Sequence, residues 1–165
     1  MSISQSKNID IKQLKGIVIC KKSGEYLLDL ILDTEIDPIL LSSFVGALSL
    51  FGQNNLGKIE EIIIKGLEIE MITVTKHDLV LITIVDKSFP RENFREQSIK
   101  ALDNFYILYK DEIQECIDIS IFNSFKRILK MQIEDYFKDK ENIDKKIQDF
   151  GFFTESIKKM RELGN

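Results

Sequence analysis

The stretch Asp37–Leu56, DPILLSSFVGALSLFGQNNL, decides how the rest of this chain is read. It predicts one helix that is apolar almost all round. Asp37 suits the N-cap, and Pro38 suits the first helical turn, where its missing N–H costs nothing. Gly52, Gln53 and the Asn54-Asn55 pair read as a stop. At about 100° per residue, Leu41, Phe44, Val45, Leu48 and Phe51 share one face, and Ile39, Ser43, Gly46 and Leu50 lie opposite. No Lys, Arg, Asp or Glu occurs from Pro38 to Leu56. A helix of this kind is normally covered on both sides. The larger face is expected to lie on a sheet. The face of Ile39, Ser43, Gly46 and Leu50 is expected to be a protein contact, most simply with the same helix of a second copy. The alternative is cover from within the chain, by tail helices through Phe152 and Phe153.

Outward from this helix the pattern is strand, strand, helix, three strands, then helices. Leu14–Lys22 (LKGIVICKK) and Glu25–Leu32 (EYLLDLIL) are strands joined at Ser23-Gly24, a hairpin signal. After the helix come Ile59–Lys65 (IEEIIIK), Leu67–Thr75 (LEIEMITVT) and Leu79–Val85 (LVLITIV), with Lys76-His77-Asp78 as a polar turn. The last run is apolar at every position but Thr83, as expected of a central strand covered on both faces. Arg91–Cys116 reads as a long helix with Phe94, Ser98, Ala101, Leu102, Phe105 and Leu108 in a stripe. Asp118 or Ser120 caps another, running to about Lys138, with Phe122, Phe125, Ile128, Leu129 and Ile133 recurring at threes and fours. Thr154 caps a short last helix with Ile157, Met160 and Leu163 on one side. The expected fold is α+β: an antiparallel-rich five-stranded sheet flanked by helices, with a C-terminal helical extension. Both the central and the long helix are placed on one face, in two layers. Phe44, Val45, Leu48, Leu81, Phe105 and Leu108 are then expected to share one core. Residues 1–13 form a flexible leader, 14–117 the domain, and 118–165 a helical extension packed on it.

Composition narrows the function. With 23 Lys and Arg against 27 Asp and Glu, the net charge is −4. A general nucleic-acid binder needs a basic surface to displace counterions, so that class is set aside. No apolar run has the length of a membrane span, and the polar N-terminus lacks a signal-peptide core. The two cysteines, Cys20 in an apolar strand and Cys116 at a helix end, read as free thiols in a reducing compartment, with a disulfide as the open alternative. A cytoplasmic location follows from these features.

No catalytic constellation emerges. His77 is the one histidine and sits in a turn without a second histidine or cysteine near it, so it reads as a turn residue and not a metal ligand. No serine or cysteine has a base at a sensible spacing. The glycines are isolated and form no phosphate cradle. Glu60, Glu61, Glu68 and Glu70 read as edge protection. Arg91 and Arg95, one helical turn apart, offer an arginine-finger arrangement, but plain surface charge explains them more simply. The chain is expected to be no enzyme and to need no cofactor.

The order of elements resembles the longin and roadblock superfamily. The stretch from Leu79, with Val85-Asp86 ending a strand before the long helix and Ile117-Asp118-Ile119-Ser120-Ile121-Phe122-Asn123 before the next, is similar to the small sigma chains of clathrin adaptors. The Leu-Leu-Ser-x-Phe and Ala-Leu-x-x-Phe pattern of the central helix is similar to archaeal roadblock/longin-like proteins linked to small GTPases. The likeness covers roughly Leu14 to Phe137. It implies a protein-binding platform without cofactors, pairing with itself or a related longin or roadblock chain, and scaffolding or regulating a small GTPase or a trafficking-like complex. The competing expectation is a small-ligand or lipid sensor domain with a pocket between layers.

Overall fold

A computed structural model describes residues 11–33, 35–115 and 118–140. After a short 3-10 turn, β1 (Leu14–Lys21) and β2 (Tyr26–Ile31) form a hairpin, and α1 spans Pro38–Asn55. β3 (Glu61–Lys65), β4 (Ile69–Lys76) and β5 (Leu79–Asp86) follow, then α2 (Phe94–Glu115). A 3-10 segment, Ile119–Ser124, leads into a further helix, α3, described over 125–140. The five strands lie in the order β2-β1-β5-β4-β3, and every neighbouring pair is antiparallel. α1 therefore connects the two edge strands.

Local chemistry explains the boundaries. The Asp37 carboxylate accepts hydrogen bonds from the Ile39 and Leu40 amides at 3.0 and 3.1 Å, which satisfies two of the donors that a helix start leaves open. The Leu56 amide closes the other end on the Gly52 carbonyl, and Gly57 turns the chain away at φ +91°. His77 and Asp78 both sit near φ +57°, the left-handed pair that a two-residue hairpin turn requires.

Strand periodicity sorts the core into two. Ile17, Ile19, Ile72, Val74, Leu79 and Leu81 point to one face, where they meet Leu102 and Phe105 of α2 and Phe125 and Leu129 of α3. Val18, Cys20, Met71, Val80 and Ile82 point to the other, where they meet Val45 of α1. The two-layer arrangement and the single shared core are thus corrected: the helices lie on opposite faces of the sheet. Leu81 and Phe105 do share a core, but Val45 belongs to the other one. Phe44 and Leu108 are exposed, and Leu48 is half-buried. The physical reason is visible in β5, which is apolar at both parities because both of its faces are covered.

α3 is part of the first core. Phe125, Leu129, Ile133 and Phe137 are buried in it, Gln132 Nε2 donates to the Gln97 carbonyl at 2.9 Å, and the Tyr136 hydroxyl donates to the Pro90 carbonyl at 2.7 Å. Expectations for residues 1–10, Cys116 and the tail, including Phe152, Phe153 and the short helix after Thr154, fall outside the described residues.

Candidate interaction surface

α1 packs on the sheet with its small side. Its buried residues are Ser42, Val45, Gly46, Ser49 and Gly52, and it lies over β1 and β2. The fit is tight. A Cβ at position 46 would stand 2.6 Å from the Gly24 amide nitrogen and 2.7 Å from the Ser23 carbonyl oxygen. One at position 52 would stand 2.6 Å from Ile59 Cγ1. Real side chains do not approach backbone so closely, so position 46 needs glycine for the helix to sit where it does, whereas at position 52 the Ile59 side chain would have to turn aside. The Ser42 hydroxyl is accommodated because it donates to the Pro38 carbonyl at 2.7 Å, one turn back.

The large residues of α1 consequently point outward. Ile39 is 63% exposed, Leu40 68%, Leu50 62% and Phe51 60%, with Phe44 close behind. These five, with Ser43 and Ala47, cover one half of the helix circumference. On the same side of the sheet, Ile64 and Ile69 are also exposed. The register of Ile64 against Met71 places it on the face that α1 covers in part. Isolated exposed apolar residues are ordinary, but a half-helix of them without one charge is a candidate interaction surface.

The sequence-derived contact residues divide accordingly. Ile39, Ser43 and Leu50 lie on this outer surface. Gly46 does not; it is buried beneath the helix against the Ser23-Gly24 turn of its own chain. Leu40, Phe44 and Phe51 are the outward residues that the reading by size missed. The signal that finds them is the run Ser42, Gly46, Ser49, Gly52, small residues three or four apart, which is how a helix approaches another backbone closely.

The remaining polar residues hold the fold together. Arg91 pairs with the largely buried Glu70. Arg95 reaches Glu61 at 3.0 Å and Glu60 at 3.9 Å. The two arginines thus fasten the start of α2 to β3 and β4, and are partnered where plain surface charge was expected. Glu70 is correspondingly no edge guard. His77 Nε2 donates to the Asp103 carboxylate at 2.7 Å, and the ring stacks on Tyr106 with ring centres 4.3 Å apart. Lys76 joins the same carboxylate at 2.8 Å, so hydrogen bonds from Lys76 and then His77 hold the Asp103 carboxyl below the usual carboxylate range. Cys20 is a free thiol among the described residues. Burial pushes it up to about 11, with the hydrogen bond to Ser42 opposing only in part, so it is no nucleophile at neutral pH. Among the described residues no cluster of metal-ligating side chains occurs, and no helix is long and apolar enough to cross a membrane.

No protein-family model matches the chain, and no curated protein matches it in sequence. Solved structures do resemble it. MglB of Myxococcus xanthus superposes with a TM-score of 0.52 at 16% identity, over 64% of this chain and 88% of that one. A Roadblock/LC7 domain from Streptomyces avermitilis gives 0.49 at 8% identity, over 58% and 87%. The gliding protein MglB from Thermus thermophilus gives 0.45 at 12%, over 53% and 70%. The fold is of the longin/roadblock type: α+β, with a five-stranded antiparallel sheet flanked by helices.

Proposed function

We propose that this chain is a non-catalytic protein-interaction module that docks partners on the outer face of α1 and scaffolds or regulates a small GTPase or a trafficking-like complex in the cytoplasm. The observation that carries the reading is the outward set Ile39, Leu40, Phe44, Leu50 and Phe51. Covering such side chains recovers roughly 25 cal/mol for each Å² of apolar surface removed from water, and a partner helix or sheet edge is the simplest cover. A second copy of this chain, or a related longin or roadblock chain, is the first partner proposed, since an apolar helix face without charges is compatible with itself. Ile39, Ser43 and Leu50 are retained as contact residues, joined by Leu40, Phe44 and Phe51. The GTPase connection rests on the longin and roadblock resemblance, and a cytoplasmic setting is consistent with the free Cys20 thiol.

Two measurements test this reading. Sedimentation of the full chain across a wide concentration range reads self-association. A pull-down against the small GTPases of the same organism, in both nucleotide states, reads the partner. A chain that stays monomeric at high concentration and retains no GTPase in either state contradicts the proposal.

A further inference from the structure

We propose that the cavity between the sheet, α2 and α3 binds a short-chain alcohol, a neutral ligand with one hydroxyl on a small carbon body. It lies on the opposite face of the sheet from the protein contacts argued above. The cavity has a volume of about 50 Å³. A single water needs roughly 10–15 Å³ on this measure, so there is room for about four heavy atoms. Its walls are largely aliphatic: Ile17 and Leu81 from the sheet, Ala101 from α2, and Leu129 and Ile133 from α3. Protein interiors leave few voids larger than one water, so a space of this size within the first core stands out.

Two polar atoms select the chemistry. Thr83 is the single polar residue in the run Leu79–Val85. It is paired with Ile17 of β1 and Ile72 of β4 and is fully buried. It lines the cavity, and its hydroxyl has no hydrogen-bond partner among the described residues. Gln132 lines the cavity from α3. Its amide nitrogen donates to the Gln97 carbonyl at 2.9 Å and to Gln97 Oε1 at 3.2 Å. Its own Oε1 is left buried and without a partner among the described residues. Buried polar atoms are nearly always paired, and here two unpaired ones belong to the lining of one cavity. The other hydroxyls on the lining are engaged: Ser98 donates to the Phe94 carbonyl at 2.9 Å, and Tyr136 to the Pro90 carbonyl at 2.7 Å. Gln132 Oε1 can only accept, whereas the Thr83 hydroxyl can donate. An alcohol hydroxyl answers both, donating to Oε1 and accepting from Thr83. A carboxylate has no proton for Oε1, and an ammonium finds no counter-charge, because no Asp, Glu, Lys, Arg or His lines the cavity. A ketone accepts from Thr83 but leaves Oε1 unpaired. A lone water could bond to both atoms, but it leaves the aliphatic remainder of the space unfilled.

The test titrates the methyl-labelled full chain with 1-propanol and, separately, with acetone, which has as many heavy atoms and no hydroxyl. Saturable methyl shifts are expected at Ile17, Leu81, Leu129 and Ile133, and none at Val18 or Val45 on the other face of the sheet. Propanol should bind several-fold tighter than acetone. Thr83→Val keeps the shape and deletes the hydroxyl. It should weaken propanol several-fold without lowering the melting temperature, since the hydroxyl it removes is unpaired. Gln132→Met removes the acceptor and should bring propanol down to the level of acetone. Four results overturn the assignment: no saturable response, equal affinity for propanol and acetone, a Thr83→Val chain that binds propanol like the wild type, or a water signal at Thr83 that persists at saturating propanol. None of them bears on association through α1, which lies across the sheet from the cavity.

Discussion

Gly46 rests on the backbone of Gly24, so close that a Cβ at 46 would stand 2.6 Å from the Gly24 amide nitrogen. Gly24 itself lies at φ +96°, where other residues are strained. Gly46→Ala gains about 1 kcal/mol of helix propensity, but overpacking against backbone that cannot yield costs about 1–3 kcal/mol or more. A net loss of stability in urea melts is expected, and an equally stable variant would show that α1 docks elsewhere. Gly46→Arg should unseat α1 and so cannot serve as a probe of self-association.

Phe44 is the better probe. It is nearly half exposed, while Val45 beside it is fully buried. Phe44→Glu should change the stability of dilute protein by no more than about 0.5 kcal/mol and abolish self-association in sedimentation. Val45→Glu buries an unpaired charge and should unfold the domain at any concentration. Association that survives Phe44→Glu moves the contact off α1.

Phe105 and Leu108 lie on the same helix, one fully buried and one half exposed. Phe105 touches the rings of Tyr109, Phe122 and Phe125. Phe105→Ala should cost about 3–5 kcal/mol, and Leu108→Ala well under about 1 kcal/mol. Similar losses in denaturant melts would contradict the outward placement of Leu108 on α2.

Asp103 gathers Lys76 and His77, and its carboxyl is lowered by both. A group with a depressed folded value stabilises the fold above its unfolded value and loses that contribution as pH falls through the folded one. The loss therefore falls below the ordinary carboxylate range near about 3.9. Asp103→Asn should flatten the acid limb of the stability curve there and leave its alkaline side parallel to wild type. An unchanged acid limb would remove Asp103 from the acid response.

Cys20 titrates in the opposite direction. Its folded value is raised to about 11 by burial. Stability is therefore full below the unfolded thiol value near about 8.5, and falls as pH rises from there toward about 11. A thiol reagent at neutral pH should label Cys20 only at the rate of unfolding, and Cys20→Ala should remove its part of the alkaline decline. Immediate labelling of the native chain at this position would contradict the burial.

The strands were legible because a short apolar run bounded by turn residues is a short-range signal. Ile17 to Cys20 and Leu79 to Val85 announce themselves, as do the Asp37 cap and the His77-Asp78 turn. The layers were harder to read, although the information was present. A strand apolar at both parities needs helices on both faces, and placing α1 and α2 together ignored that demand. The orientation of α1 failed for a different reason. Ranking its faces by side-chain size puts Phe44 and Phe51 inside, whereas the sheet-facing side is selected for closeness to the Ser23-Gly24 turn and to Ile59. Which side chains must be absent is decided by neighbours remote in the chain, and one helix read alone does not name them.

Because α1 turns Ser42, Gly46, Ser49 and Gly52 inward, the domain itself recovers little of this helix's apolar area. Under the proposal made above, the remainder is recovered on association. A partner that binds the folded chain and not the unfolded one adds RT ln(1 + [L]/Kd) to its stability. Under the pairing proposed here, the melting temperature rises with protein concentration, and the folding free energy of this chain is set by mass action as well as by its own contacts.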